Sequence, residues 1–228
     1  MKRLFFLVVY SIVLVISAFA QSDCNPYILL SEGSKWEVET YNSKDKYEGK
    51  QAYEVVSVEG TEDGLLATIN FVTYNKKGKE EFRDEVTFEC KDGVVSMDMS
   101  KYIPSEMIES FENMKFEMEA DRMSIPKELS VGQQLDDGSL TMTISGPVSM
   151  TFKTEVVDRK VESKEKVKVP AGEFEAYKLT STLKFSGMIK MERKSVEYIS
   201  EGVGVVRTES YDKSGKLESY TVMSNYSK

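Results

Sequence analysis

The side chains with catalytic potential in this sequence are carboxylates. There are 38 Asp and Glu residues but no histidine, and this composition excludes Ser-His-Asp and Cys-His mechanisms, imidazole acid–base chemistry and His-ligated zinc or copper. Two carboxylates at the right separation could hydrolyse a glycosidic bond. No spacing singles out such a pair, however, and the acidic residues mostly fall at the polar positions of alternating segments. We therefore expect a protein that is not an enzyme, with a carboxylate-based hydrolase as a remote alternative.

The sequence also lacks the motifs that hold cofactors and metal ions. It contains no G-x-G-x-x-G or G-x-x-x-x-G-K-[ST] loop for phosphates, and no acidic loop with the spacing of a calcium site. The formal net charge of −8 disfavours nucleic acid or an anionic membrane surface as a partner, because phosphates attract clusters of lysine and arginine. The sequence predicts no catalytic residue, no cofactor, no metal site and no nucleic-acid partner.

Cys24 and Cys90 are the two cysteines of the chain. In an oxidising compartment an even number of cysteines favours pairing. A disulfide that closes so long a loop would stabilise the fold by about 4 kcal/mol in the chain-entropy view. The alternative is a pair of buried free thiols, and we favour the disulfide.

The first 20 residues have the three parts of an export signal. Lys2 and Arg3 give a positive start, residues 4–16 are almost entirely apolar, and Ala18 and Ala20 supply the small side chains that a signal peptidase requires. The apolar run is shorter than the roughly 20 residues of a membrane-spanning helix. We predict a signal peptide over 1–20 and one β-rich domain over 21–228, which is periplasmic or secreted and does not span a membrane after cleavage.

Alternation of apolar and polar residues is the main structural signal. In the segment 82–90, the side chains of Phe82, Val86, Phe88 and Cys90 share one face and polar side chains occupy the other, which is typical of a strand with one solvated side. The segments around Trp36 and Phe152 repeat the pattern. We predict a mainly β fold, a large curved antiparallel sheet or open barrel with one or two short helices. One helix is expected over 105–113, after a proline and a capping serine.

Turn motifs separate the predicted strands. The pairs Asp63-Gly64, Asp92-Gly93 and Asp137-Gly138 tolerate the positive φ of tight hairpins. A second motif, Tyr-[Asn/Asp]-Lys-x-Gly-Lys, occurs at 74–79 and 211–216, with a looser copy at 41–46. It could be a repeated binding loop, but we interpret it as a recurring hairpin corner.

Methionines are concentrated in the centre of the sequence. Thioether side chains are flexible, so they suit adaptable apolar binding surfaces and also fill ordinary cores. Core filling is the simpler interpretation, and the cluster is the one sequence feature that points to an apolar ligand. The residues are Met97, Met99, Met107, Met114, Met118 and Met123.

The segment 167–178 reads Val-Lys-Val-Pro-Ala-Gly-Glu-Phe-Glu-Ala-Tyr-Lys. It resembles the V-P-A-G-x-F-x-x-x-K signature of the TapB-like family, a group of exported bacterial proteins of unknown function. The segments 24–27, 33–37 and 201–207 are similar to the start and the end of that family. The resemblance implies an exported protein and supplies no catalytic residue. Physically, Pro170-Ala171-Gly172 predicts a hairpin turn.

Two functions therefore remain open. The first is a non-enzymatic envelope or secreted protein that binds an apolar or amphipathic ligand on the concave side of a curved sheet. The second is a structural module that pairs with another envelope protein through a sheet face or edge. A large interior cavity favours the first, because ligand pockets usually exceed roughly 300 Å³.

Overall fold

The computed structural model of the protein describes residues 24–62, 64–98, 115–145, 149–187 and 189–228. The expected signal peptide over 1–20 and the expected helix over 105–113 lie outside these ranges. The strands, in chain order, are β1 (Lys35–Asn42), β2 (Tyr47–Thr61), β3 (Gly64–Asn75), β4 (Glu80–Lys91), β5 (Val94–Asp98), β6 (Lys115–Ala120), β7 (Arg122–Ile125), β8 (Gly138–Ser145), β9 (Met150–Val169), β10 (Gly172–Ser186), β11 (Lys190–Ser200), β12 (Gly204–Asp212) and β13 (Leu217–Ser227).

These strands form one antiparallel sheet that is nearly closed into a barrel. The strand order is β6-β8-β9-β10-β11-β12-β13-β1-β2-β3-β4-β5-β7, so β6 and β7 are the two edges. Only Asp121 separates β6 from β7 in the chain, and its N–H donates to the carbonyl of Ser139 at 2.8 Å. The chain thus passes from one edge of the sheet to the other at this point. The predicted mainly β, curved-sheet fold is confirmed, and the described residues contain no helix.

The predicted alternation holds in the first half of β4 and is weaker in the second, where Thr87 and Glu89 on the predicted solvated face are also half-buried. Arg83 and Glu85 are exposed, whereas Phe82 and Phe88 are half-buried and Cys90 is fully buried. The segments around Trp36 and Phe152 are likewise strands. No helix in the described ranges is both long enough and apolar enough to cross a membrane.

The core contains three apolar clusters, two of which join the sheet to segments outside it. The segment before β1 contributes Tyr27 and Leu30, and the segment between β7 and β8 contributes Leu129 and Leu135. Asn25 fixes the first segment, because its buried side-chain amide donates to two backbone carbonyls, those of residues 93 and 125. These bonds satisfy the polar group that burial would otherwise penalise.

The three copies of the tyrosine-containing motif form the same hairpin corner. The first residue after the tyrosine, Asn42, Asn75 or Asp212, accepts two backbone N–H groups through one side-chain oxygen, at distances between 2.8 and 3.2 Å. The fourth residue of the motif after the tyrosine has positive φ, 56° for Asp45, 75° for Gly78 and 83° for Gly215. The interpretation as a recurring hairpin corner is confirmed.

The other turn motifs had mixed outcomes. Asp92 and Gly93 form the two-residue turn between β4 and β5, with φ of 51° and 80°. The expectation for Asp137-Gly138 is wrong. Gly138 begins β8, and its φ is not positive. The segment before it forms an isolated bridge to β9 and not a hairpin strand. Asp63 lies outside the described residues.

The Pro-Ala-Gly motif closes the β9–β10 hairpin, as predicted. The N–H of Ala171 donates to the carbonyl of Met223 at 3.1 Å, so the hairpin tip contacts β13. Val167 and Val169, just before the turn, are buried in the same core cluster as Met223. The motif that carries the family resemblance is therefore a structural element of the core.

Candidate functional site

The register of β1 to β4 places four aromatic side chains in a row. Trp36 lies opposite Tyr53, and Tyr53 lies opposite Phe71. Phe71 lies opposite Asp84 on β4, so Phe82, two residues before Asp84, is the diagonal neighbour of Phe71. Directly opposite residues on one face of a sheet are about 5 Å apart, close enough for ring contacts.

The four rings form a continuous ladder. The centroids of Trp36 and Tyr53 are 5.0 Å apart with planes at 6°, and those of Tyr53 and Phe71 are 6.0 Å apart at 28°. Phe71 and Phe82 follow at 5.6 Å and 52°. These separations lie within the favourable range for aromatic pairs. We call this set, with the space in front of it, the aromatic groove.

The aromatic groove has a volume of about 390 Å³. Val86, Phe88 and Met97 contribute further apolar walls. The four rings of the ladder are half-buried, whereas Ile69, which lines the same space, is 1% exposed. The described structure thus leaves large apolar side chains accessible around a concave space. Such a cavity, apolar with a few polar groups, is the usual form of a small-molecule site.

Polar groups are concentrated at one end of the aromatic groove. The hydroxyl of Tyr53 donates to Oε1 of Gln51 at 3.0 Å, and the amide of Gln51 reaches Oγ1 of Thr73 at 3.4 Å. Asp84 also lines this space. Burial raises the pKa of Tyr53 to about 12, so the phenol remains a neutral donor over the physiological range. The groove therefore offers an apolar wall and a polar end.

The disulfide lies beside this site. Cys24 and Cys90 are bonded, with 6.2 Å between their Cα atoms, as the sequence favoured. Cys90 is fully buried on the same face of β4 as Phe82 and Phe88 and belongs to a core cluster, against which the half-buried Cys24 packs. The bond holds the start of the described chain against β4, on the face of the sheet that carries the groove.

The methionine cluster is only partly at this site. Met97 lines the aromatic groove, opposite Phe88 on β4 and Met123 on β7. Met118 lies elsewhere, opposite Met142 on β8. The other three, Met99, Met107 and Met114, lie outside the described residues.

The aromatic ladder itself was not predicted from the sequence. Trp36 and Phe82 were recognised as members of apolar strand faces, but nothing in a single segment shows which strands are neighbours. Tyr53 and Phe71 belong to two long strands with mixed residues. The pairing of an aromatic residue on each of four successive strands is the signal that could have found the ladder.

Two other depressions are lined mostly by polar residues. One of about 410 Å³ is lined mainly by hydroxyl side chains of β10 and β11 together with Asp158 and Lys194. One of about 290 Å³ lies between Lys164, Glu175 and Glu201. Within the described ranges no group of three or more carboxylates or cysteines is placed to hold a metal ion.

One carboxyl has an unusual electrostatic environment. Burial raises the pKa of Glu197 above its ordinary value, and the positive charge of Arg159 offsets part of that rise. Arg159 is 6% exposed and donates to the carbonyl of Ser124 at 3.1 Å and to that of Asp136. The charge of Glu197 is thus balanced by a cation that also ties β7 and the segment after it to β9, so the arrangement has a structural explanation.

The fold defines a class: proteins built on a single curled antiparallel sheet. The DUF3108-like family matches residues 31–223, and the chain belongs to this family. No curated protein matches the sequence.

Two solved structures share the fold. One is a candidate lipoprotein from Parabacteroides distasonis, with 22% identity, a TM-score of 0.72, and coverage of 90% of this chain and 100% of that chain. The other, from Bacteroides fragilis, is described as a candidate exported protein with a YmcC-like fold and has 23% identity, a TM-score of 0.71 and the same coverage. These similarities establish the architecture of the sheet.

Proposed function

We propose that this chain is an exported, non-enzymatic protein that holds an apolar or amphipathic ligand in the aromatic groove. The half-buried ladder of Trp36, Tyr53, Phe71 and Phe82 carries the proposal, because large accessible rings around a space of about 390 Å³ resemble a ligand site more than a filled core. The polar end formed by Gln51 and Thr73 suits a ligand with one polar group.

Three observations support export. The first 20 residues have the composition of a signal peptide, and the Cys24–Cys90 disulfide suits an oxidising compartment. The two solved structures with this fold are described as a candidate lipoprotein and a candidate exported protein. The Val-Pro-Ala-Gly signature further supports placing the chain with the TapB-like proteins. Periplasmic and secreted locations both satisfy these observations.

Trp36 makes the groove directly testable, because it is the only tryptophan of the chain. We would titrate the chain from Gln21 onward with dodecanoate and with the dye N-phenylnaphthylamine and follow the emission of Trp36. Binding in the groove is expected to shift this emission and to saturate. Native mass spectrometry of the same protein would detect any ligand retained from the expression host.

Two phenylalanine variants give a matched comparison. Phe71→Ala removes the centre of the ladder and is expected to weaken binding at least about tenfold, since a buried aromatic contact contributes more than 1 kcal/mol. Phe152→Ala is the control, because Phe152 stacks on Phe185 in a half-buried pair that does not line the groove. An unchanged Trp36 emission with both probes, or equal losses in the two variants, would contradict the proposal. Co-purification of an envelope protein with an empty groove would favour the structural-module alternative.

A further inference from the structure

Seven lysines lie in the three hairpin corners described above. The pairing of Asn42 with Ser219 sets the β1–β2 corner beside the β12–β13 corner, and the pairing of Gly49 with Asn75 sets the β3–β4 corner on its other side. All three corners therefore lie at the same end of the sheet. We call their lysines the lysine rim: Lys44, Lys46, Lys76, Lys77, Lys79, Lys213 and Lys216.

The lysine rim is positive although the whole chain is negative. The three corners, 42–46, 75–79 and 212–216, contain seven lysines against two aspartates, whereas the net charge of the chain is −8. Four exposed glutamates lie directly beside the corners: Glu80 and Glu218 form ion pairs with Arg83 and Arg193, and Glu48 and Glu81 accept hydrogen bonds from Asn42 and Asn75. With these glutamates and arginines included, the set contains nine cations and six carboxylates and keeps a positive net charge. All seven lysines are exposed, and within the described ranges none of them forms an ion pair. Lysines on the strands behave differently, since Lys35, Lys50 and Lys160 each pair with a glutamate.

The β10–β11 hairpin adds an apolar tip at the same end. Arg193 pairs with Asp212, the first residue of a corner, and the hairpin continues beyond this pair to Ser186 and Lys190. At about 3.3 Å per residue, Lys190 lies roughly 10 Å beyond Arg193 along the strand. Ile189 at this tip is 67% exposed, more than any other large apolar side chain in the described ranges. At a bilayer surface an exposed isoleucine can enter the apolar boundary while the long side chain of the neighbouring lysine keeps its charge in water.

The polar end of the aromatic groove opens toward the lysine rim. Thr73 lies two residues before Asn75, where the β3–β4 corner begins, and Phe82 lies three residues after Lys79, where it ends. A ligand that enters or leaves at this end passes the lysines. The position of the rim is therefore suited to a surface from which amphiphiles are taken or to which they are delivered.

From these observations we propose that the lysine rim and Ile189 form a docking surface for an anionic phospholipid bilayer. Each lysine near such a surface gains electrostatic attraction to the headgroups, and Ile189 enters the interfacial layer. The negative charge of the remaining chain does not prevent this. Of the four glutamates beside the rim, Glu80 and Glu218 are neutralised by Arg83 and Arg193, and charges more than about 10 Å from the membrane are screened at physiological ionic strength. The proposal goes beyond ligand binding and holds whether or not the groove is occupied.

Co-sedimentation with vesicles tests the docking surface. The chain from Gln21 onward is expected to bind vesicles of equal parts phosphatidylglycerol and phosphatidylcholine and to dissociate from them as the salt concentration is raised. It should not bind vesicles of pure phosphatidylcholine. Replacing Lys76, Lys77 and Lys79 by Ser should weaken binding about a hundredfold, at about fivefold for each lysine. Ile189→Ser should weaken it several-fold even when salt is high enough to screen the lysines.

The matched control removes three lysines from β9. The variant with Lys164, Lys166 and Lys168 replaced by Ser has the same net charge as the corner variant, and its lysines lie away from the rim. It should bind anionic vesicles like the unmodified chain, and circular dichroism with thermal unfolding would verify that both variants are folded. Equal losses in the two triple variants, equal binding to neutral vesicles, or binding to alginate without binding to vesicles would overturn the proposal.

Discussion

Trp36 stacks on Tyr53 across the β1–β2 pair, with ring centroids 5.0 Å apart and ring planes 6° from parallel. The contact joins the only tryptophan of the chain to a tyrosine whose pKa burial raises to about 12. Ionisation of Tyr53 places a negative charge against the indole ring. The emission of Trp36 therefore reports on the protonation of Tyr53 as well as on the contents of the aromatic groove.

The first prediction concerns alkaline stability. The folded pKa of Tyr53, about 12, exceeds its ordinary value of 10.0, so the fold favours the neutral phenol. This contribution is fully present below about pH 10 and is lost as the pH rises through about 12, and it amounts to roughly 2–3 kcal/mol. Urea unfolding at a series of alkaline pH values, followed by Trp36 emission, should show the free energy of unfolding falling across this range.

Tyr53→Phe is the control for this prediction. Phenylalanine cannot ionise, so the decline in the free energy of unfolding should become shallower. It should not vanish, because Tyr41 and Tyr211 also have pKa values raised to about 12, chiefly by the hydrogen bond to Glu39 and by burial respectively. An alkaline decline of the same steepness in Tyr53→Phe would show that Tyr53 is not buried as described.

The second prediction concerns the disulfide. Cys24 and Cys90 are separated by 66 residues, and closing a loop of this length stabilises the folded state by about 4 kcal/mol in the chain-entropy model. Replacing both cysteines by Ala should lower the free energy of unfolding by about that amount. Reduction with dithiothreitol should destabilise the unmodified chain similarly and leave the double variant unchanged. If the unmodified chain had two titratable thiols and its stability did not change with reductant, the disulfide would be absent and the prediction wrong.

The fold was largely predictable because its signals are local. Alternation in β4 is visible from Phe82 to Cys90 without knowledge of the neighbouring strands, and the corner motif specifies its own hydrogen bonds. Asp137-Gly138 shows the limit of local reasoning. The dipeptide permits a hairpin, but a hairpin also requires a strand on each side. The segment before Gly138 instead packs into a core cluster through Leu129 and Leu135 and makes one isolated bridge to β9.

The aromatic groove and the lysine rim could not be predicted because both depend on strand order. Phe71 meets Tyr53 only through the β2–β3 register. The corner at 212–216 joins the corner at 42–46 only because the last strand pairs with the first, β13 with β1. A net charge of −8 conceals the rim entirely, since composition carries no information on where charges are gathered.

The third prediction tests the hairpin corner. Oδ1 of Asn75 accepts the N–H groups of Lys77 and Lys79 at 2.9 and 3.2 Å. Asn75→Ala removes both bonds, together with the bond from the Asn75 amide to Glu81 at 2.8 Å, and should lower the free energy of unfolding by about 1–2 kcal/mol. Lys76→Ala, in the same corner, changes a side chain that makes no described contact and should stay within about 0.5 kcal/mol.

Gly78→Ala separates strain from contact in the same corner. The φ of Gly78 is 75°, and an added Cβ would meet no atom within 4 Å. The cost is therefore the left-handed backbone alone, about 1 kcal/mol. A cost near zero would show that the corner relaxes, and a cost of several kcal/mol would reveal a contact that the structure does not contain.

The fourth prediction concerns the cation beside Glu197. Glu197 lies opposite Leu179 on the face that carries Ile199, next to a core cluster. Its pKa is raised by burial, so the protonated form contributes stability that is present below the ordinary value of 4.5 and is lost as the pH rises. Arg159 reduces this loss, because its charge favours the ionised carboxyl.

Arg159→Leu should therefore be more destabilising at neutral pH than in mild acid. Near pH 7 the variant loses its bonds to two carbonyls and leaves a carboxylate without its cation, at a combined cost of about 3–5 kcal/mol. Near pH 4 the carboxyl of Glu197 binds a proton, and only the cost of the lost carbonyl bonds should remain. Adding Glu197→Gln to Arg159→Leu should recover stability at neutral pH but not in acid. Equal losses at both pH values, as measured by urea unfolding, would show that Arg159 acts on the backbone of the segment after β7 and not on the charge of Glu197.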